Sequence, residues 1–401
     1  MSVAPEVEHR ARLVLLDTLG CMLGGRSAPE VAAFESEFSS VESGNFSFPG
    51  GRRLSVLGAT AVGAMAADWD GAAEEFPPSH ASPAVPVAAA LLPQGLARDV
   101  NLQLLLDSLI AGYEVGAQAA SARFSWDGRV DRHWPSLGVA AGLAHLLKLP
   151  AGMRAAALDF AAESPLPASD GVDEQGPSSP RRAWLGALAA LSAAAGLQRP
   201  SQASVAHELD DTRASSLILQ SHLKSHAASL PVHFGAEAAR GVRDLIEGRT
   251  AAISGIRLRV DAWAMERCGH RSPERPALAQ SSLSFGVAAA LRWGGIEAGV
   301  YRNERFHDAE LRRLEQLVII EASRESRGAT LAVMADDECH DFSVDTIPGA
   351  PEQPMSDEEV AAKFLRQAAA SVPPEKAYNF ASVLLCGESQ TPLRSIWDLL
   401  F

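Results

Sequence analysis

The hydrophobic period of this chain changes near Ser221, and that change limits the fold more than any other feature. Before it, apolar residues recur at helical spacing. Leu13, Leu16, Leu19 and Met22 form a stripe on Val7 to Met22, and Pro29 to Phe38 reads as a second short helix. Leu54 to Ala67 and Ala84 to Leu92 are Ala-rich helical runs, and Met153 to Glu163 and Arg181 to about Leu197 continue the pattern. Val100 to Ser121 is a buried helix carrying Leu102, Leu104, Leu105, Leu109 and Ile110. Its Gly112 and Gly116 are spaced to let another helix approach closely. Glu114, on so apolar a helix, is either a surface group or a buried one with a partner.

Beyond Ser221, Ile253 to Ala264 alternates Ile256, Leu258, Val260 and Ala262 with polar residues, as a strand does. Leu317 to Glu321, Ala329 to Met334 and Asp341 to Val344 read as further strands. Gly235 to Glu247, Ser281 to Arg292 and Ala309 to Leu314 read as helices. A Pro-rich stretch, Ile347 to Met355, leads to Ser356-Asp357-Glu358-Glu359, a capped and acidic helix start, and the chain ends in helix over Ala377 to Leu385 and Pro392 to Leu400. The expected class is therefore mainly α. A large all-helical domain, residues 1–222 and 346–401, is interrupted by a smaller α+β domain, residues 223–345.

Composition narrows the function classes. The 401 residues carry a net charge of -14 with no basic run, which argues against nucleic acid or an anionic membrane surface as partner. The 4 cysteines, Cys21, Cys268, Cys339 and Cys386, are dispersed and none forms a CxxC pair. That spacing offers neither a zinc nor an iron–sulfur motif and fits a reducing cytoplasm. The N-terminal apolar run is flanked by Glu6, Glu8, His9 and Asp17, so it reads as an amphipathic helix rather than a signal peptide. No stretch is apolar enough to read as a membrane span.

The candidate chemistry is concentrated in loops. Asp68 to Pro83 places Asp68, Asp70, Glu74, Glu75 and His80 between two apolar segments, a common setting for an active site. His133 precedes a helix that Ser136 is placed to cap, and a helix start offers N–H groups to an anion. Arg181 and Arg182 open a helix whose dipole disfavours them, so each is either a surface arginine or an anion ligand. Lys224, Ser229 and His233 follow the break in texture.

In this order the features resemble the MmgE/PrpD family of 2-methylcitrate dehydratases, cis-aconitate decarboxylases and iminodisuccinate epimerases. Leu15-Leu16-Asp17-Thr18-Leu19-Gly20-Cys21 is similar to that family's opening helix. Ala67-Asp68-Trp69-Asp70 with His80-Ala81-Ser82-Pro83 resembles its Asp-Phe-Asp-Asp-Thr and His-Pro-Ser stretch. Ala111-Gly112-Tyr113-Glu114-Val115 is similar to its Gly-Tyr-Glu-Val helix, and His133-Trp134-Pro135-Ser136 to its His-Pro-Thr loop. Lys224 with His233, and Ala279 to Phe285, resemble segments of its lid.

The resemblance implies a helical domain with an α+β lid, an active site in the cleft between them, a homodimer, and catalysis without metal or organic cofactor. It implies Asp68, His80, His133 and Lys224 as catalytic residues. Arg181, Ser136, Ser229 and His233 are then substrate-binding candidates for a small carboxylic acid. Several positions depart from the pattern: Ala72 replaces a Thr, Gln118 an Arg, Arg181 a Lys and Trp184 a His, while Ser229 stands where decarboxylases have a His. These departures point to a substrate with fewer carboxylates or more apolar bulk, as in specialised metabolism. The expected activity is a dehydratase acting on a β-hydroxy acid, with decarboxylase, epimerase and a catalytically silent ligand-binding homologue as alternatives.

Overall fold

The computed structural model describes residues 3–121, 134–163, 179–197, 204–207, 209, 216–323 and 328–401. The chain forms two compact units. One comprises the described residues of Met1–Trp69, Ala73–Leu223 and Met355–Phe401, and the other comprises those of Asp70–Ala72 and Lys224–Pro354.

The first unit is helical. It begins with α1 (Pro5–Gly25), α2 (Pro29–Val41), α3 (Val56–Trp69) and α4 (Ala84–Ala97), and continues with α5 (Leu102–Ser121), α6 (Trp134–Leu146), α7 (Ala151–Glu163) and α8 (Ser179–Ala194). Helix α1 is buried without interruption from Arg10 to Gly25, as expected of a helix at the centre of a core. Helices α5 and α6 meet through glycine. A Cβ on Gly112 would lie 2.6 Å from Val87 Cγ1 and 2.8 Å from the Gly138 carbonyl oxygen. The spacing of Gly112 and Gly116 thus does what the sequence led us to expect.

Three local readings need correction. Helix α3 runs through Asp68 and Trp69, so Asp68 is helical rather than part of the loop. Its Ala-rich run holds no stop signal before Gly71, which turns the chain with φ 64°. Helix α4 continues past Leu92 to Ala97 with Pro93 inside it. Helix α6 begins at Trp134, with Pro135 in its first turn, so Ser136 lies inside the helix and is not its cap.

The second unit carries the sheet. Its elements are α9 (Leu230–Leu245), β1 (Ile253–Asp261), α10 (Ala262–Cys268), α11 (Pro276–Ala279), α12 (Leu283–Trp293), α13 (Asn303–Phe306), α14 (Ala309–Leu317), β2 (Val318–Ser323), β3 (Ala329–Ala335) and β4 (Glu338–Val344). The strand order is β2-β1-β3-β4. Strand β1 runs parallel to β2 and antiparallel to β3, with Leu258 opposite both Ile320 and Leu331. Alternation places Ile256, Leu258 and Val260 in the core and Arg257 and Arg259 on the open face, where both approach Glu321. Helices α9 and α12 cover the inner face, and Gly235 lets them close on Leu258. Strand β1 stops before Ala262 because the Asp261 side chain accepts the Ala264 N–H at 2.8 Å and caps α10.

Helices α15 (Asp357–Ala368), α16 (Pro374–Cys386) and α17 (Leu393–Trp397) return to the helical unit. Ser356 and Glu359 form the capping box that the sequence indicates. Lys363 of α15 pairs with Asp17 of α1 inside the core, with both side chains almost wholly buried. Burial favours the neutral amine, but the Asp17 carboxylate outweighs it, and Lys363 titrates above its ordinary range.

Candidate active site

In the helical unit, Glu74 and Glu75, on the segment that leads into α4, are both buried but take different partners. The Glu75 backbone exchanges two hydrogen bonds with His222, at 2.9 and 2.7 Å. The Phe76 N–H donates to the Ala81 carbonyl oxygen at 2.6 Å, which closes a tight turn over Pro77 to His80. His80 occupies the left-handed region of that turn, with φ 53°. Its Nδ1 lies 2.9 Å from Glu75 Oε1. The carboxylate is 7% exposed and the imidazole 28% exposed. A carboxylate only accepts, so this hydrogen bond assigns a proton to Nδ1, and in the neutral ring Nε2 is then the acceptor.

Glu74 does different work. It is fully buried, accepts the Ala84 N–H at 2.8 Å at the start of α4, and accepts the Tyr113 hydroxyl at 3.2 Å. A carboxylate at a helix N-terminus is favourably placed. Burial, and then the Glu74 charge, push the Tyr113 phenol well up. Glu114 is a buried group with partners: it accepts the Ile218 N–H at 3.1 Å. Burial still holds its carboxyl above the usual range, with the backbone bonds acting against that.

The other sequence candidates of this unit are placed as follows. Asp68 is half-buried on the last turn of α3. Ser136 is fully buried, and its hydroxyl donates to the Arg182 carbonyl oxygen at 3.0 Å. Arg181 is exposed in the first turn of α8, and Trp184 and Gln118 are half-buried. His133 lies outside the described residues.

In the second unit, Lys224 is 5% exposed, and its Nζ donates to the Gly71 carbonyl oxygen at 3.3 Å. Beside Gly71, Asp70 is buried with Oδ2 2.8 Å from an Arg302 guanidinium nitrogen. Burial pushes the Asp70 carboxyl up, and Arg302 offsets only part of that. His226 Nδ1 accepts the Ile296 N–H at 3.3 Å, so the ring proton sits on Nε2, 3.0 Å from Glu237 Oε1. The His233 ring lies 5.1 Å from the His226 ring, on the first turn of α9, with Nε2 3.3 Å from the Ala228 carbonyl oxygen. Ser229 precedes α9, and its hydroxyl bonds to that of Ser281 at 2.9 Å. Among the described residues, no three His, Cys, Asp or Glu side chains converge as ligands for a metal, and no helix is long and apolar enough to cross a membrane.

Three of these contacts have no signal in the sequence. Glu75, which orients His80, lies within the acidic stretch, but only the left-handed turn at His80 brings the two side chains together. Arg302 sits 232 residues from Asp70, and Glu237 sits on α9, with no local signal for either pairing.

Comparison with known families accounts for most of the chain. The model of the MmgE/PrpD N-terminal domain matches residues 1–209, and that of the MmgE/PrpD C-terminal domain matches residues 226–388. No curated protein matches the chain.

Proposed function

Because the chain belongs to the MmgE/PrpD family, which includes dehydratases and related enzymes, we propose that it is a cofactor-independent lyase dehydrating a β-hydroxy carboxylic acid. The Glu75–His80 pair carries this reading. Glu75 holds the Nδ1 proton, so Nε2 is the basic nitrogen, on a side chain that remains partly open to solvent. A histidine suits the task because its ordinary pKa lies near neutrality.

In the proposed reaction, His80 Nε2 takes the proton α to the substrate carboxylate, and the C–H electron pair enters an enolate. His133 gives a proton to the β-hydroxyl, and the C–O pair leaves with it as water, forming the carbon–carbon double bond. Lys224 and Arg181 stabilise the carboxylate and the enolate as cations. Asp68 orients a histidine or assists as base, while Ser136, Ser229 and His233 contribute to substrate binding. Ala72, Gln118 and Trp184 bring no charge, so 2-methylcitrate and cis-aconitate are expected to be poor substrates. The active form is a homodimer in this reading, and light scattering tests that directly.

The decisive experiment offers a panel of β-hydroxy acids and follows water loss by ultraviolet absorbance, CO₂ release, and α-proton exchange in D₂O by NMR. The expected result is water loss, retained in chelator and abolished in Lys224→Ala. CO₂ release or exchange without water loss would replace dehydration by decarboxylation or epimerisation. Inactivity in all three assays, with retained ligand binding, would favour the silent homologue.

A further inference from the structure

Lys224 lies in a segment without regular structure, yet contacts reach it from both ends. On the backbone side, the Ala227 N–H donates to the Ile296 carbonyl oxygen at 2.8 Å, and the buried Tyr301 hydroxyl donates to the Ala227 carbonyl oxygen. At the tip, Nζ donates to the Gly71 carbonyl oxygen. Gly71 is left-handed and closely packed, since a Cβ there would lie 2.9 Å from Gln280 Oε1. Its neighbour Asp70 is tied to Arg302, the residue after Tyr301. The contacts therefore close a ring: Lys224, Ala227, Tyr301, Arg302, Asp70, Gly71 and back to Lys224 Nζ. Two consecutive residues, Tyr301 and Arg302, thus hold the backbone that follows the lysine and the neighbour of the glycine that its tip bonds.

We propose that the Asp70–Arg302 ion pair is a positioning device that fixes the Lys224 ammonium, with Tyr301 securing the backbone from which it extends. The inference rests on the reading of Lys224 as the cation that stabilises the enolate. As a stabilising element the pair is poor. Asp70 is 4% exposed, and its Oδ1 is buried without a hydrogen bond. Such a pair contributes little to stability compared with well-packed apolar groups, whereas losing one partner leaves a buried charge uncompensated. Its value here is geometric. An ammonium is a point charge on a flexible stem, with no preferred direction of its own, so its location must be imposed from outside. Misplacement of about 1 Å by a distant change can cost on the order of 10²-fold in rate.

The test does not need the substrate. The chain has four lysines, Lys148, Lys224, Lys363 and Lys376, and an arginine separates each from the next. Brief acylation with acetic anhydride, cleavage after arginine and mass spectrometry read each lysine separately. In Arg302→Gln, Lys224 should acylate about tenfold faster, the factor that one lost hydrogen bond to a charged group supplies. The exposed Lys148 and Lys376 and the buried Lys363 should keep their wild-type rates. Asp70→Asn should reproduce the effect, and Arg302→Lys, which keeps the charge, should restore most of the protection. An unchanged Lys224 rate in folded Arg302→Gln and Asp70→Asn overturns the proposal. A rise shared by Lys363 overturns it too, because the pair would then be holding the fold at large. Activity of Lys224→Ala decides the functional reading, and acylation decides the clamp, so either can fail alone.

Discussion

The turn that carries His80 and the segment that carries Lys224 are held by different means. His80 itself takes the left-handed backbone, at φ 53°, and one carboxylate five residues away directs its ring. Around Lys224, the left-handed residue is the acceptor Gly71, at φ 64°, and the fixing contacts come from far along the chain. The chemistry of the two groups accounts for the contrast. An imidazole works through one nitrogen, so it needs a tautomer and a direction, and a single carboxylate supplies both. An ammonium needs only a place, and a ring of contacts supplies that. The helical unit thus accepts strain at its candidate histidine, while the sheet-bearing unit shifts it to a glycine.

The largest expected effect tests the strained side. His80→Gly removes the proposed base and relieves the backbone. Turnover should fall about 10²–10⁴-fold, as for loss of a proton-transfer group. The thermal midpoint should not fall, because a left-handed non-glycine residue costs about 1–3 kcal/mol, more than the added glycine entropy of about 1 kcal/mol. Kinetics and calorimetry on one preparation read both. A lower midpoint would mean that the His80 side chain supports the turn it strains. His145→Ala is the control: this ring lies on α6 with Nδ1 3.1 Å from Ser108 Oγ, and its loss should leave turnover unchanged.

Glu75→Gln should follow, with turnover lowered on the order of 10²-fold at unchanged fold. An amide can donate to Nδ1 as well as accept from it, so the proton is no longer confined to one nitrogen. A pH–rate profile in which the basic limb is unmoved would show that Glu75 leaves the tautomer to other groups.

These two sites were unequally legible in sequence. Helical stripes on α1 and α5, alternation in β1 and the Ser356 cap are local patterns, and the structure carries all of them. His80 stood out because it follows an acidic stretch between apolar runs. Its partner did not, because a left-handed histidine after two prolines has no periodic signature. The reading of Asp68 as loop failed because alanine propagates a helix with no mark of where it ends. The Ser136 cap failed because Pro135 already marked the first turn one residue earlier. Arg302 joins Asp70 only through tertiary structure, which no local pattern announces.

Gly71→Ala probes the Lys224 side by moving strain where the fold avoids it. The substitution should cost about 1–3 kcal/mol, since a Cβ is disfavoured at positive φ and here also meets Gln280. Denaturant unfolding measures the loss, and acylation of Lys224 should rise with it. A full loss of stability without any change at Lys224 would separate the turn from the lysine it serves.

The smallest effect is electrostatic and sharpens the contrast within the second unit. Burial raises Glu237, but the bonds from His226 and Arg240 outweigh it, so its carboxyl lies below the ordinary value. A depressed carboxyl contributes stability that is present above its unfolded value and is lost as pH falls through its folded one. Asp70 has the opposite sign: burial dominates, Arg302 offsets only part, and the carboxyl lies above its ordinary value. Its ionised form disfavours the fold, so this residue adds stability as pH falls from its folded value towards its unfolded one. Thermal midpoints between neutral pH and the acid limb should therefore diverge in two variants. Glu237→Gln should lower the midpoint at neutral pH and flatten its decline in acid. Asp70→Asn should remove a gain that lies at higher pH, above the unfolded aspartate value, and so make the fall towards acid begin earlier. If both variants shift the profile in the same direction, the two carboxylates share one environment, and Asp70 is an ordinary member of an ion-pair network rather than a group held in place for its neighbour.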